Sequence, residues 1–181
     1  MKATRLALAT ALLCTSAISS AASDYPGQAN TSHHMAVNYH YLADSELDDI
    51  DLSAATVSHA YQMRNTGGNF SFGPVIAIGS GAGKFEESGV KLNIDGMAQF
   101  GLRLTYYPCE YFHVFLKPTV TQIWLDGTQN GVDILGDDDT STESGITMGL
   151  GFDVNDNYSI DLSAEKIGDY DVVTGSVSYR F

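Results

Sequence analysis

Positive charge is scarce in this sequence. Its 9 Lys and Arg stand against 22 Asp and Glu, a formal net charge of −13 over 181 residues. A phosphate backbone is bound by clusters of Lys and Arg, so no nucleic-acid partner fits this balance. Cysteine is nearly absent as well, with only Cys14 and Cys109. Long apolar runs are missing past the N-terminal region, where no stretch approaches the ~18 residues of a spanning helix. If the chain crosses a membrane, it must do so as a closed barrel, the other structure that satisfies its own backbone there.

The N-terminus carries an address. Lys2 and Arg5 precede an apolar run from Leu6 to Cys14, and small residues from Ser19 to Ala22 precede Asp24. This is the layout of a cleaved export signal over residues 1–22, cut after Ala22 or after Ala21. Leu13 before Cys14 does not suit a lipoprotein signal. Cleavage takes the basic count from 9 to 7 and leaves Cys109 as the sole thiol, so no internal disulfide can form.

What the rest of the chain has is alternation. Strand side chains alternate between faces with period two, and eight segments read that way. They run near His34 to Leu42, within Leu52 to Arg64, and over Phe70 to Ile78, Leu92 to Tyr106 and Tyr111 to Leu125. The last three are Ile146 to Phe152, Tyr158 to Glu165, and Val173 to Phe181. In the fourth, Leu92, Ile94, Ala98, Phe100, Leu102, Leu104 and Tyr106 share one face, and Asn93, Asp95, Gln99, Arg103 and Thr105 the other. Pro118 lies inside the fifth, where it removes a ladder donor; a bulge there would accommodate it.

Connections alternate in length. Tight turns at 65–69, 108–110 and 155–157 separate longer links at 44–49, 79–90, 126–143 and 168–171. The polar face holds Asp95, Arg103, Lys117, Asp161, Glu165 and Arg180. The apolar face is so rich in Phe, Tyr, Leu and Ile that eight strands could not enclose it. Turned outward it meets lipid, and the mixed charges pair inside. The expected fold is an all-β, eight-stranded antiparallel transmembrane up-and-down barrel over residues 32–181, after an N-terminal periplasmic segment, 23–31.

With its export signal, eight alternating strands, turns at Tyr107-Pro108 and 153–157, and final Ser178-Tyr179-Arg180-Phe181, the mature chain resembles the OmpA/OmpX-like small outer-membrane barrels of Gram-negative bacteria. The resemblance implies residence in the outer membrane, contact with its lipid and lipopolysaccharide, and delivery by the barrel-assembly machinery. It also implies that this machinery reads Val177, Tyr179 and Phe181. No segment of the sequence corresponds to the peptidoglycan-binding domain that follows the barrel in OmpA.

Candidate chemistry is thin, and no enzyme activity and no cofactor are expected. Gly79-Ser-Gly-Ala-Gly-Lys84 lacks the first Gly and the final Ser or Thr of a phosphate loop, with Ile78 and Phe85 in those places. His33 and His34 are adjacent and face opposite ways. His34 and His40 share a face about 20 Å apart, and the His-x-Ser pair of the lipid A deacylases is missing. The long links are acidic, with Lys84 almost their only counter-charge. Asp137, Asp138 and Asp139 offer oxygen ligands for weak Ca²⁺ binding. The expected role is structural or interactive, through acidic outer loops over a filled barrel and toward an extracellular partner. The alternative is a narrow conduit for small, even hydrophobic, molecules, with Gly73, Gly101, Gly149 and Gly151 leaving water-filled gaps.

Overall fold

The computed structural model describes residues 30–44, 51–64, 69–87, 90–129, 132–133, 140–168 and 170–181. The strands are β1 (Asn30–Asp44), β2 (Asp51–Arg64), β3 (Phe70–Gly81), β4 (Lys84–Glu87), β5 (Val90–Tyr106), β6 (Phe112–Gln129), β7 (Val132–Asp133), β8 (Thr140–Asp153), β9 (Tyr158–Ile167) and β10 (Tyr170–Arg180). Eight of them form an antiparallel ring, β1-β2-β3-β5-β6-β8-β9-β10. Pairing of β10 with β1, from Arg180 opposite His34 to Tyr170 opposite Asp44, closes it. Two short strands, β4 and β7, fold back on the ends of β5 and β6. Gly168, at φ 53°, turns β9 into β10, a backbone state that costs glycine little. The expected signal segment and Asp137 to Asp139 lie outside the described residues, and β1 begins at Asn30, just inside the expected lead-in.

The wall has two senses. From the tight-turn end to mid-height, apolar side chains face out: Val37 is 63 % exposed, Phe100 61 % and Met148 66 %. Thr105, Thr147 and Asp161, which alternate with such residues, are buried inside. Toward the long-loop end the sense reverses. Lys91, Asp95, Asp126, Thr142 and Asp171 are exposed, while Leu42, Leu52, Ile94, Met97, Ile123, Ile167 and Val172 form a buried apolar cluster inside the ring. Phe85, Leu92, Leu125 and Tyr170 pack against it. The lower part therefore suits hydrocarbon, and the upper part is built like a small water-soluble barrel.

A bulge produces the reversal in β5. Its register on β6 shifts between Ile94 and Gly96, which makes Asp95 an extra residue. Even-numbered positions that face out at Phe100 and Leu102 therefore face in at Ile94. Three expectations are corrected here: Ile94 is buried in the apolar cluster, Leu92 packs against it, and Asp95 is exposed instead of joining an interior network. No bulge accompanies Pro118. The β5–β6 ladder lapses opposite it and resumes in unchanged register, with Gly101 opposite Thr119 and Leu104 opposite Leu116. The proline faces outward, and its missing N–H costs only that local pairing.

Aromatics mark two levels. Phe70, Tyr106, Tyr111, Phe152, Tyr158, Tyr179 and Phe181 are exposed at the tight-turn end. On β6, Phe112 and Trp124 are separated by a rise of roughly 30 Å for a strand tilted by about 40°, close to the height of an apolar belt with its girdles.

The reversal predicts unequal costs for one substitution on one face of one strand. Met148→Arg should destabilise the barrel in phospholipid vesicles by about 2–4 kcal/mol. Thr142→Arg, higher on the same face, should cost at most ~1 kcal/mol. Urea titration of the vesicle-folded protein reads both.

Candidate functional site

The interior below the apolar cluster is the candidate site, because it concentrates the chain's buried polar groups. Their positions follow from the alternation, since each is the inward neighbour of a lipid-facing apolar residue. A chain of polar and charged contacts climbs from the tight-turn rim. Arg180 Nη2 lies 3.2 Å from Asp153 Oδ2, and Asp153 Oδ1 lies 3.5 Å from His113 Nδ1. His113 Nε2 lies 2.9 Å from Asp161 Oδ1, and Arg103 Nη1 donates to Asp161 Oδ2 at 2.9 Å. The Arg103 guanidinium also covers the Phe115 ring at 3.8 Å.

A second group lies beside it. Lys117 Nζ donates to Gln99 Oε1 at 2.8 Å, and Gln99 Nε2 donates to Glu165 Oε1 at 3.0 Å. Thr119 Oγ1 donates to the same oxygen at 2.5 Å. One amide thus joins a half-buried ammonium to a buried carboxylate. Higher up, His40 lies 2.8 Å from the Thr174 hydroxyl and 2.9 Å from that of Thr56.

Arg103, Lys117, Asp161, Glu165 and Arg180 therefore all point into the barrel, and the structure brings them together as two networks. The third acid of the networks is Asp153, at the tight-turn rim, and not Asp95. Removing one partner of such a buried pair leaves a charge without compensation. Neither Asp153, which stands at a turn, nor His113, which alternates with Phe112 and Val114 on the face of Lys117, belongs to the interior set expected above. Opposite Gly151 in the β6–β8 register, His113 was recoverable once the hairpin was aligned.

The interior glycines do not leave water-filled gaps. A Cβ on Gly149 would collide with the Phe115 ring, and one on Gly151 with His113 and Asp161. One on Gly73 would meet the Tyr61 carbonyl, and one on Gly101 the Pro118 carbonyl at 2.7 Å. These glycines make room for neighbouring protein atoms. Among the described residues a central cavity of about 50 Å³ is open, lined in part by His34, Asn38, His40, Gln99, Lys117 and Ser176. It has room for a few waters.

Other candidates separate. Ser32 Oγ lies 2.9 Å from His34 Nε2, but among the described residues no carboxylate hydrogen-bonds the other nitrogen of that ring. Gly79 to Gly81 belong to β3 and Lys84 begins β4, so the glycine-rich stretch is largely strand. Among the described residues no group of three or more His, Cys, Asp or Glu could hold a metal. Cys109 is exposed at a tight turn. Val177, Tyr179 and Phe181 face outward, and the Phe181 main chain pairs with His33 through bonds of 2.9 and 3.1 Å.

The glycine packing predicts a contrast. Gly151→Ala should destabilise by about 1–3 kcal/mol, because His113 and Asp161 must move. Gly175→Ala, with nothing within 4 Å of the new methyl, should stay within about 0.5 kcal/mol of the parent or stabilise it. Denaturant midpoints in detergent micelles check both.

No described protein family and no curated protein matches the sequence. Solved structures do match in shape. Ail, the attachment invasion locus protein of Yersinia pestis, is similar over 85 % of this chain and 99 % of its own, at 17 % identity and a TM-score of 0.55. Neisserial surface protein A is similar over 86 % of this chain and 98 % of its own, at 12 % identity and a TM-score of 0.51. The chain shares the fold of these small eight-stranded outer-membrane barrels.

Proposed function

We propose that the protein is an integral outer-membrane barrel with a closed interior, acting in the envelope as a structural or surface-interaction protein. The observation that carries this reading is the double closure of the interior. Paired charges and glycine-seated side chains fill the middle, and the apolar cluster stops the long-loop end. A conduit for ions or polar solutes needs a continuous polar path, and the apolar cluster interrupts it. In this reading the tight turns face the periplasm, outer-membrane lipid and lipopolysaccharide cover the apolar belt, and the barrel-assembly machinery reads Val177, Tyr179 and Phe181.

The outer rim sets the chemistry of any surface partner. Two exposed cations there are already matched, Lys91 with Glu86 at 2.8 Å and Lys166 with Asp171 at 3.2 Å. These are exposed pairs of small energetic weight, but they mask the rim's positive charge. Asp95 and Asp126 remain exposed beside them. Ail has been solved with the heparin analogue sucrose octasulfate. A polyanion of that kind does not suit this acidic rim, so the partner in this reading is a cationic surface or one reached through divalent ions.

Planar-bilayer recording tests the closed interior. The purified barrel should insert without a steady single-channel current. A stable, ion-selective current from the unmodified protein would favour the conduit reading instead.

A further inference from the structure

The outer surface of the tight-turn end holds a pair of histidines outside the buried networks. His33 on β1 shares the outward face of Met35, Val37 and Tyr39, and His59 on β2 shares that of Val57. In the β1–β2 register His33 stands opposite Tyr61, and Met35 opposite His59, so the imidazoles are diagonal neighbours. Their rings stack with centroids 5.4 Å apart, and His33 Nδ1 lies 3.3 Å from His59 Nε2. Both residues are half-buried among aromatics, with Tyr61 at 5.1 Å and Phe181 at 5.7 Å from the His33 ring. They lie at the level of the aromatic girdle, where water reaches the strands.

From this geometry we propose that His33 and His59 form a cross-strand site for an imidazole-preferring divalent ion, of the Zn²⁺, Ni²⁺ or Cu²⁺ class. Metal–imidazole bonds of about 2.0–2.1 Å at the tetrahedral angle hold their two nitrogens about 3.3 Å apart. The pair already stands at that separation, so an ion can sit between the two nitrogens without moving the strands, each neutral imidazole keeping its N–H on the ring nitrogen that faces away from the ion. Two protein donors leave the remaining positions to water, which makes this an open site of modest affinity. Nitrogen donors select these metals over Ca²⁺ and Mg²⁺. Ligation needs neutral imidazole, so binding weakens as the pH falls. The ion would clip β1 to β2 one strand away from the β1–β10 closure, next to Phe181.

The test uses the full barrel in detergent micelles with Cys109→Ser, which removes the competing exposed thiol. Titration with CuCl₂ followed by electron paramagnetic resonance counts the nitrogens bound to the ion. The expected result is two equatorial nitrogens, falling to one in His33→Ala and in His59→Ala. NiCl₂ and ZnCl₂ should bind at least tenfold more weakly to each single variant, and CaCl₂ should not discriminate between them. Gel mobility of unboiled samples confirms that each variant folds. An oxygen-only copper spectrum in the Cys109→Ser parent would overturn the site, whatever the variants do. Equal Ni²⁺ affinity in the parent and in a folded His33→Ala/His59→Ala double variant would overturn it as well.

Discussion

A β-sheet in hydrocarbon cannot have an edge, because each unpaired N–H or C=O there costs several kcal/mol. Pairing of β1 with β10 meets that constraint, and the rest of the structure follows from it. A closed ring of eight strands has one outer surface and one narrow interior. Side chains alternate between them, so every lipid-facing Phe, Leu or Val commits its neighbours to the inside. The polar residues gathered there must then satisfy one another. That is why Asp161 holds both Arg103 and His113, and why Gln99 is placed between Lys117 and Glu165.

The same alternation, used in the opposite sense, forms the upper barrel. Above mid-height the wall meets water, and the inward set becomes Leu42, Ile94, Met97, Ile123, Ile167 and Val172. This cluster gives the upper ring a hydrophobic core of its own and closes the interior beneath it. A polar interior capped by an apolar one is consistent with a barrel that presents a surface rather than a passage. Glycine contributes to the filling. Its missing side chains at 149 and 151 are the spaces that Phe115, His113 and Asp161 occupy.

Most of the architecture was legible in the sequence, because lipid exposure enforces a strict period of two over long runs such as Phe100 to Tyr106 and Ile146 to Phe152. The tight turns were legible for the same reason, as breaks in that pattern. Local irregularity was not. The extra residue Asp95 inverts the faces of everything above it in β5, and alternation read through it assigns Ile94 to the wrong side. The one mark of the bulge in β5 alone is Gly96, a glycine inside the strand; pairing with β6 fixes which residue is extra. The apolar cap was hidden because an apolar residue facing lipid and one facing a core look identical in sequence. His113 with Asp161, and His33 with His59, emerge only when two strands are set in register. That register depends on the closed ring.

The barrel's seat in the bilayer is set by the level at which the wall changes sense, and the chain has a single tryptophan, Trp124, at that level. It lies over Gly96 beside the bulge, between the outward apolar residue Val120 and the exposed Asp126. Fluorescence quenching by lipids brominated at graded depths measures where it sits in the bilayer. Strongest quenching by the shallowest bromines, fading toward the bilayer centre, is the predicted result. Strongest quenching by the deepest bromines would place the reversal inside the hydrocarbon and contradict the account.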